Sequence, residues 1–180
     1  MIRSIPVIII VTLCVAMGCE PHAKTTIRMV KNRKFGLSEA ISIGETVKRF
    51  PHFNKVTWET RFPSENITTI IMRGRLTDEA CANIRDRLHK RLDLFPGDGN
   101  ASSEERDTRK RLIEAYLSLE HIYLAIAFQV RHLEKRDAVN IQSVTYEGDT
   151  RNGEIQGIYA PEGELARLYE QRDLTGPGVW

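Results

Sequence analysis

From Ala101 to Glu147 the chain carries neither glycine nor proline, and two hydrophobic periodicities compete inside that stretch. Leu112, Tyr116, Leu119, Tyr123, Ile126, Val130 and Leu133 follow a 4-3-4-3 spacing that suits one long helix. Ile122, Leu124, Ile126, Phe128 and Val130 alternate strictly with His121, Tyr123, Ala125, Ala127 and Gln129, which suits a strand with one face buried. The two readings give different folds. β-Branched and aromatic content favours the strand, and helices beyond about 25 residues are uncommon outside coiled coils and membrane spans. The sequence therefore predicts a helix ending near Leu119 and a strand from about His121 to His132.

The remaining elements fit around that strand. Ser42 with Glu45 three residues later has the spacing of a capping box and opens a short helix limited by Pro51. In Lys55–Phe62 the residues Val56, Trp58, Thr60 and Phe62 share one face, and Lys55, Thr57, Glu59 and Arg61 the other. Pro63-Ser64-Glu65-Asn66 supplies a turn into the β-branched run Ile67–Leu76, making a hairpin. Thr77 caps a helix with Asp78 and Glu79 in its first turn and Cys81, Ile84, Leu88 and Leu92 as its apolar stripe. Pro96-Gly97-Asp98-Gly99-Asn100 breaks the chain, and Ser102 with Glu105 opens the next helix. Val139–Tyr146 reads as a strand, Asn152-Gly153 as a hairpin turn, and Glu154–Tyr159 as the returning strand. Pro161 is expected to start a last helix, with Leu165, Leu168 and Tyr169 facing inward. The predicted class is α+β, with about five antiparallel strands and helices on one face.

The front of the chain has a different character. Arg3 precedes an apolar run from Ile5 to Met17, closed by Gly18 and Cys19, which is the layout of a secretory signal peptide. Ile5 to Gly18 spans 14 residues, short of the roughly 20 that a membrane-crossing helix needs. Ala16-Met17-Gly18-Cys19 resembles the lipobox of bacterial lipoproteins. That resemblance implies cleavage before Cys19, diacylglycerol on its thiol and acylation of the new amino end. One acyl chain holds a membrane only marginally, whereas several hold it stably. The resemblance also permits outer-membrane sorting in a host with two membranes, because Glu20 stands where Asp marks inner-membrane retention in enteric bacteria. The stretch Leu37–Leu76 further resembles small envelope lipoproteins that open with a helix followed by a hairpin.

The expected organisation is residues 1–18 as signal peptide, 19–37 as lipidated Cys19 and polar tether, 38–174 as one α+β domain, and 175–180 as a tail. Cys14 leaves with the signal and Cys19 is acylated, so only Cys81 of the three cysteines remains, and no intramolecular disulfide is expected. Cys81 lies on an apolar helical stripe and reads as core.

Chemistry-bearing patterns are sparse. The chain has no Gly-x-Ser-x-Gly and no His-Glu-x-x-His, and none of its five histidines pairs at i,i+4. On the strand reading His121 and His132 point to opposite faces, so no metal site is expected from them. No cofactor is expected either. A formal net charge of +2 gives no reason to invoke nucleic acid. The leading expectation is a non-enzymatic, periplasm-facing envelope lipoprotein, anchored to the bilayer through Cys19, that serves as an assembly, accessory or interaction module for an envelope protein. One alternative is a small-ligand or lipid carrier whose pocket, between sheet and helices, is lined by Trp58, Phe62, Tyr123 and Phe128. Another is an envelope hydrolase using His121 or His132.

Overall fold

The computed structural model describes residues 22–36, 40–94, 102–149 and 155–177. Residues 22–31 form helix α1. After it come α2 (Ile43–Arg49), β1 (Phe53–Ser64), β2 (Ile67–Leu76), α3 (Asp78–Leu94), α4 (Ser103–Leu117), β3 (His121–Arg131), β4 (Ala138–Asp149), β5 (Ile155–Tyr159) and α5 (Glu164–Tyr169). The five strands make one antiparallel sheet in the order β1-β2-β3-β4-β5, with the helices on one face. The fold is α+β. The Ala101–Glu147 ambiguity resolves as helix then strand: α4 ends at Leu117 and β3 starts at His121.

β3 is the middle strand, and its alternation becomes the centre of the core. Ile122, Leu124, Ile126, Phe128 and Val130 are all fully buried. Ile70, Met72 and Leu76 of β2 flank them on one side and Tyr146 of β4 on the other. Above this row lie Val47 of α2, Cys81, Ile84 and Leu88 of α3, Ile113 and Tyr116 of α4, and Leu168 of α5. Burying a side chain of this size contributes roughly 1.5–3 kcal/mol. The row therefore dominates the energetics of the sheet.

β4 carries one irregularity that composition alone does not reveal. Ala127 pairs with Ser143 and Phe128 with Ile141, so Gln142 is an extra residue on β4. This bulge changes the parity of the strand. Odd-numbered Val139 and Ile141 face the helices before it, and even-numbered Val144 and Tyr146 after it. Without the bulge one of these two apolar pairs would be turned to solvent. At Gly148 a side chain is excluded: a Cβ there would lie 2.2 Å from a methyl of Leu119.

The helix starts follow local chemistry. Ser102 and Glu105 form a reciprocal capping box, each side chain bonded to the other's backbone N–H. The Ser42 hydroxyl accepts from the Glu45 N–H, and the Thr77 hydroxyl from the Ala80 N–H.

Three expectations need correction. Residues 22–31 are a helix, not a polar tether: Thr26 and Val30 are buried, and Ile27 and Met29 pack against the core. The basic side chains of this segment occupy one side of the helix and its apolar ones the other, so charge density concealed an amphipathic pattern. Pro161 does not start the last helix. It lies three residues before Glu164, and the N-cap is Gly163 in the left-handed region at φ 88°. The segment from Thr175 is also no loose tail as far as Pro177. Gly176 and Pro177 are buried, and Arg87 of α3 donates to the Leu174 carbonyl. Cys14, Cys19, the 96–100 breaker and the Asn152-Gly153 turn lie outside the described residues.

What holds that C-terminal segment is a buried carboxylate. Glu164 of α5 is almost wholly inaccessible. It accepts from the Tyr146 hydroxyl, from the Thr175 N–H at 2.6 Å and hydroxyl at 2.9 Å, and from the Gly176 N–H at 3.3 Å. A buried charge is tolerated when donors saturate it in this way. Burial together with Glu164 pushes the Tyr146 phenol far above its ordinary range, so the hydroxyl is a permanent donor. Tyr146→Phe is expected to cost about 1.5–3 kcal/mol, the range for a hydrogen bond to a charged group. Urea unfolding followed by circular dichroism would measure this, and a midpoint unchanged from that of the parent would show that Tyr146 does not support the carboxylate.

Candidate functional site

The strand period that buries one face of the sheet leaves the other without helices among the described residues. Pairing aligns Lys55, Arg75, Tyr123, Glu147 and Gly157 in one row across all five strands. The next row is Thr57, Arg73, Ala125, Thr145 and Tyr159. A third is Glu59, Ile71, Ala127 and Ser143. This face is polar at one end and has a floor of small residues at the other. Tyr159, on the edge strand, is 74% exposed.

Arg73 organises the polar end. Its Nη1 lies 2.6 Å from Glu59 Oε2 on β1, and its Nε 2.6 Å from Glu147 Oε2 on β4. The side chain thus bridges outward from β2 to both sides of the sheet. Burial by itself lowers the pKa of the guanidinium, but the hydrogen bonds and charges of Glu147 and Glu59 outweigh that and leave it above its ordinary value. Beside the network is a hollow of about 400 Å³ that also touches Lys55, Arg61, Arg75, Tyr123 and Asp149. A second hollow of about 320 Å³ lies over Ile71, Ala125, Ala127 and Thr145. Arg75 Nη2 is 3.1 Å from His121 Nδ1; a guanidinium can only donate, so Nδ1 is the acceptor.

The Tyr123 hydroxyl donates to Asp149 Oδ2 at 2.6 Å. Its pKa is pushed up to about 12, first by burial and then by the bond and charge of Asp149. The folded state therefore keeps a proton that the unfolded chain releases near pH ~10. Stability tied to this group is complete below about pH 10 and is lost as pH rises toward 12. Between about pH 9.5 and 11.5, Tyr123→Phe is expected to lose less unfolding free energy than the parent. Equal losses in denaturant titrations at the two pH values would contradict that assignment.

His132, just beyond β3, joins Asp137 to Thr68. Asp137 Oδ1 lies 3.1 Å from His132 Nδ1, and Thr68 Oγ1 lies 2.8 Å from Nε2. The carboxylate accepts from Nδ1–H, and Nε2 shares a hydrogen bond with the hydroxyl. The order acid, imidazole, hydroxyl matches that of a nucleophilic triad. Thr68, however, is only 2% exposed on the helical side of β2, where a substrate carbonyl has no approach. The arrangement ties the β3–β4 connection to β2. His22 lies over the same imidazole, ring centroids 5.4 Å apart, and stacks on Phe62 at 6.2 Å. A fluorophosphonate probe is accordingly expected to leave Thr68 unmodified. A labelled Thr68 peptide after proteolysis would restore the hydrolase reading.

The other sequence candidates do not converge. His121 is on the open face with Arg75, while His132 is on the helical side with Thr68, so the two histidines share no site. The four aromatics assigned to a carrier pocket are dispersed. Phe128 is fully buried between Trp58 and Phe35, Tyr123 is on the opposite face, and Phe62 is 50% exposed beside His22. Side chains between sheet and helices form one continuous cluster. Cys81 belongs to it, and burial pushes its thiol up, away from the reactive thiolate form. Among the described residues no group of three or more His, Cys, Asp or Glu side chains could hold a metal ion, and no helix is long and apolar enough to cross a membrane.

A third surface lies at the β1 edge. A groove of about 720 Å³ runs between β1 and α2, with Phe53, Val56 and Trp58 on the strand side and Lys48 on the helix side. At its end the Lys31 ammonium sits 5.0 Å from the Trp58 ring centroid. Sequence reasoning placed Lys55, Glu59 and Arg61 on one strand face but missed Arg73, Glu147 and Lys48 as partners on these surfaces. Register and helix placement bring them together, and neither is readable from local spacing.

No protein-family model matches the chain, no curated protein matches it significantly, and no solved structure does so.

Proposed function

We propose that this chain is a lipoprotein of the bacterial envelope, anchored through an acylated Cys19, whose α+β domain is a non-enzymatic interaction module for another envelope protein. The lipobox-like Ala16-Met17-Gly18-Cys19 supports the anchor. The single observation that supports the module reading is the division of the sheet: one face is committed to the core, and the other holds an ordered, ion-paired surface with no helix over it among the described residues. The hydroxyl of the one triad-like grouping described above is enclosed, which favours recognition over catalysis.

The first helix sharpens the reading. Residue 22 is already helical, and Thr26 is already buried against the domain. Three residue steps carry the chain from Cys19 to residue 22 and span at most about 10 Å. An acylated Cys19 would thus hold the domain close to the bilayer surface, with little freedom to reach away from it.

Intact-mass analysis of membrane-extracted protein tests the reading. The expected mass is that of residues 19–180 plus three acyl chains, and Cys19→Ala is expected to leave the membrane fraction. Native protein that retains Met1 and stays in the cytosol would overturn the proposal.

A further inference from the structure

The β1 edge joins two features that are independent in origin. One is backbone chemistry. β1 lies at the margin of the sheet, so its alternate residues direct N–H and C=O groups away from β2. Among the described residues, no hydrogen bond links the edge from Lys55 to Arg61 to any element other than β2. The other is the groove beside it, of a size with ligand clefts and walled by α2. An extended chain lying there could pair with β1 on one side while its alternate side chains entered the groove.

Charge identifies the occupant. Lys48 rims the groove, and Lys55 and Arg61 stand on the outward face of β1; none of the three has an ion-pair partner among the described residues. The carboxylates nearby are already taken, Glu45 by Arg49 and Glu59 by Arg73. Along the strand side the groove offers the apolar Val56 and Trp58. We infer that the groove between β1 and α2 binds an extended protein segment that alternates apolar and acidic residues, adding it to the sheet as a sixth strand. Its apolar side chains enter the groove and its carboxylates meet Lys55 and Arg61. Pairing of β1 with a second copy is disfavoured, because it brings the two basic rims together. The inference deepens the interaction-module reading by naming the site and the partner's chemistry.

The test uses the full chain in detergent and a capped peptide of five Val-Glu repeats, with hydrogen exchange as readout. The glutamate peptide is expected to slow exchange of alternate β1 amides tenfold or more. A Val-Lys peptide of the same length is expected to protect none. Methylating alternate backbone nitrogens of the glutamate peptide is expected to abolish protection in one of the two phases, since only one set of N–H groups faces β1. The double variant Lys55→Glu, Arg61→Glu is expected to weaken binding tenfold or more, while Lys110→Glu, on α4, leaves it unchanged. Four outcomes overturn the inference: equal protection by the lysine peptide, protection on the open face without β1, β1 protection that rises with protein concentration and no peptide, or no protection at millimolar peptide. Acylation does not enter these readouts. A lipidated protein without β1 protection would defeat this inference alone, and a cytosolic protein with it would defeat only the envelope reading.

Discussion

The structure depends on roofing the inner row of β3. Five large apolar side chains at alternate positions of the central strand cannot stay in water, and no second sheet is available to cover them. Helices α2, α3, α4 and α5 all contribute buried side chains to that cover, as does α1 through Val30. The bulge at Gln142 and the glycine at 148 serve the same end. One restores the parity of β4 so that its apolar residues join the row, and the other clears room for Leu119. Even the segment after α5 is recruited, because the Glu164 carboxylate gathers donors from β4 and from residues 175 and 176.

Committing the described helices to one face leaves the other to solve a different problem. Its charged groups are neither scattered nor simply solvated. Arg73 spans the sheet between two carboxylates, and Tyr123 is held by Asp149. Half-buried pairs of this kind are screened less than exposed ones and keep their geometry. Such a face presents fixed positions of charge, which confers selectivity among partners more than it adds affinity. The β1 edge differs again: among the described residues Lys55 and Arg61 have no ion-pair partner, and the edge from Lys55 to Arg61 is hydrogen-bonded to β2 alone.

Much of this was legible residue by residue. The alternation of Ile122–Val130, the stripe of Cys81, Ile84 and Leu88, and the capping serines 42 and 102 announced their elements, because each is a local signal with its own period or cap. The first helix was not legible. Lys24, Arg28 and Lys31 dominate its composition, and only packing against the domain shows Thr26 and Val30 to be one buried stripe. The candidate site was least visible. Glu59, Arg73 and Glu147 are separated by 14 and 74 residues, and nothing near any of them marks the others.

The sequence by itself determined the α+β class, the element types after the first helix and which residues of β1 and β3 turn inward, since side-chain alternation and helical period are properties of a few consecutive residues. Tertiary structure alone decided the strand order, the Gln142 register, the enclosure of Thr68 and the meeting of Arg73 with its two carboxylates. Those depend on which distant segments lie side by side. That choice is made by the total apolar area buried and the backbone hydrogen bonds completed, quantities that no short window of residues contains.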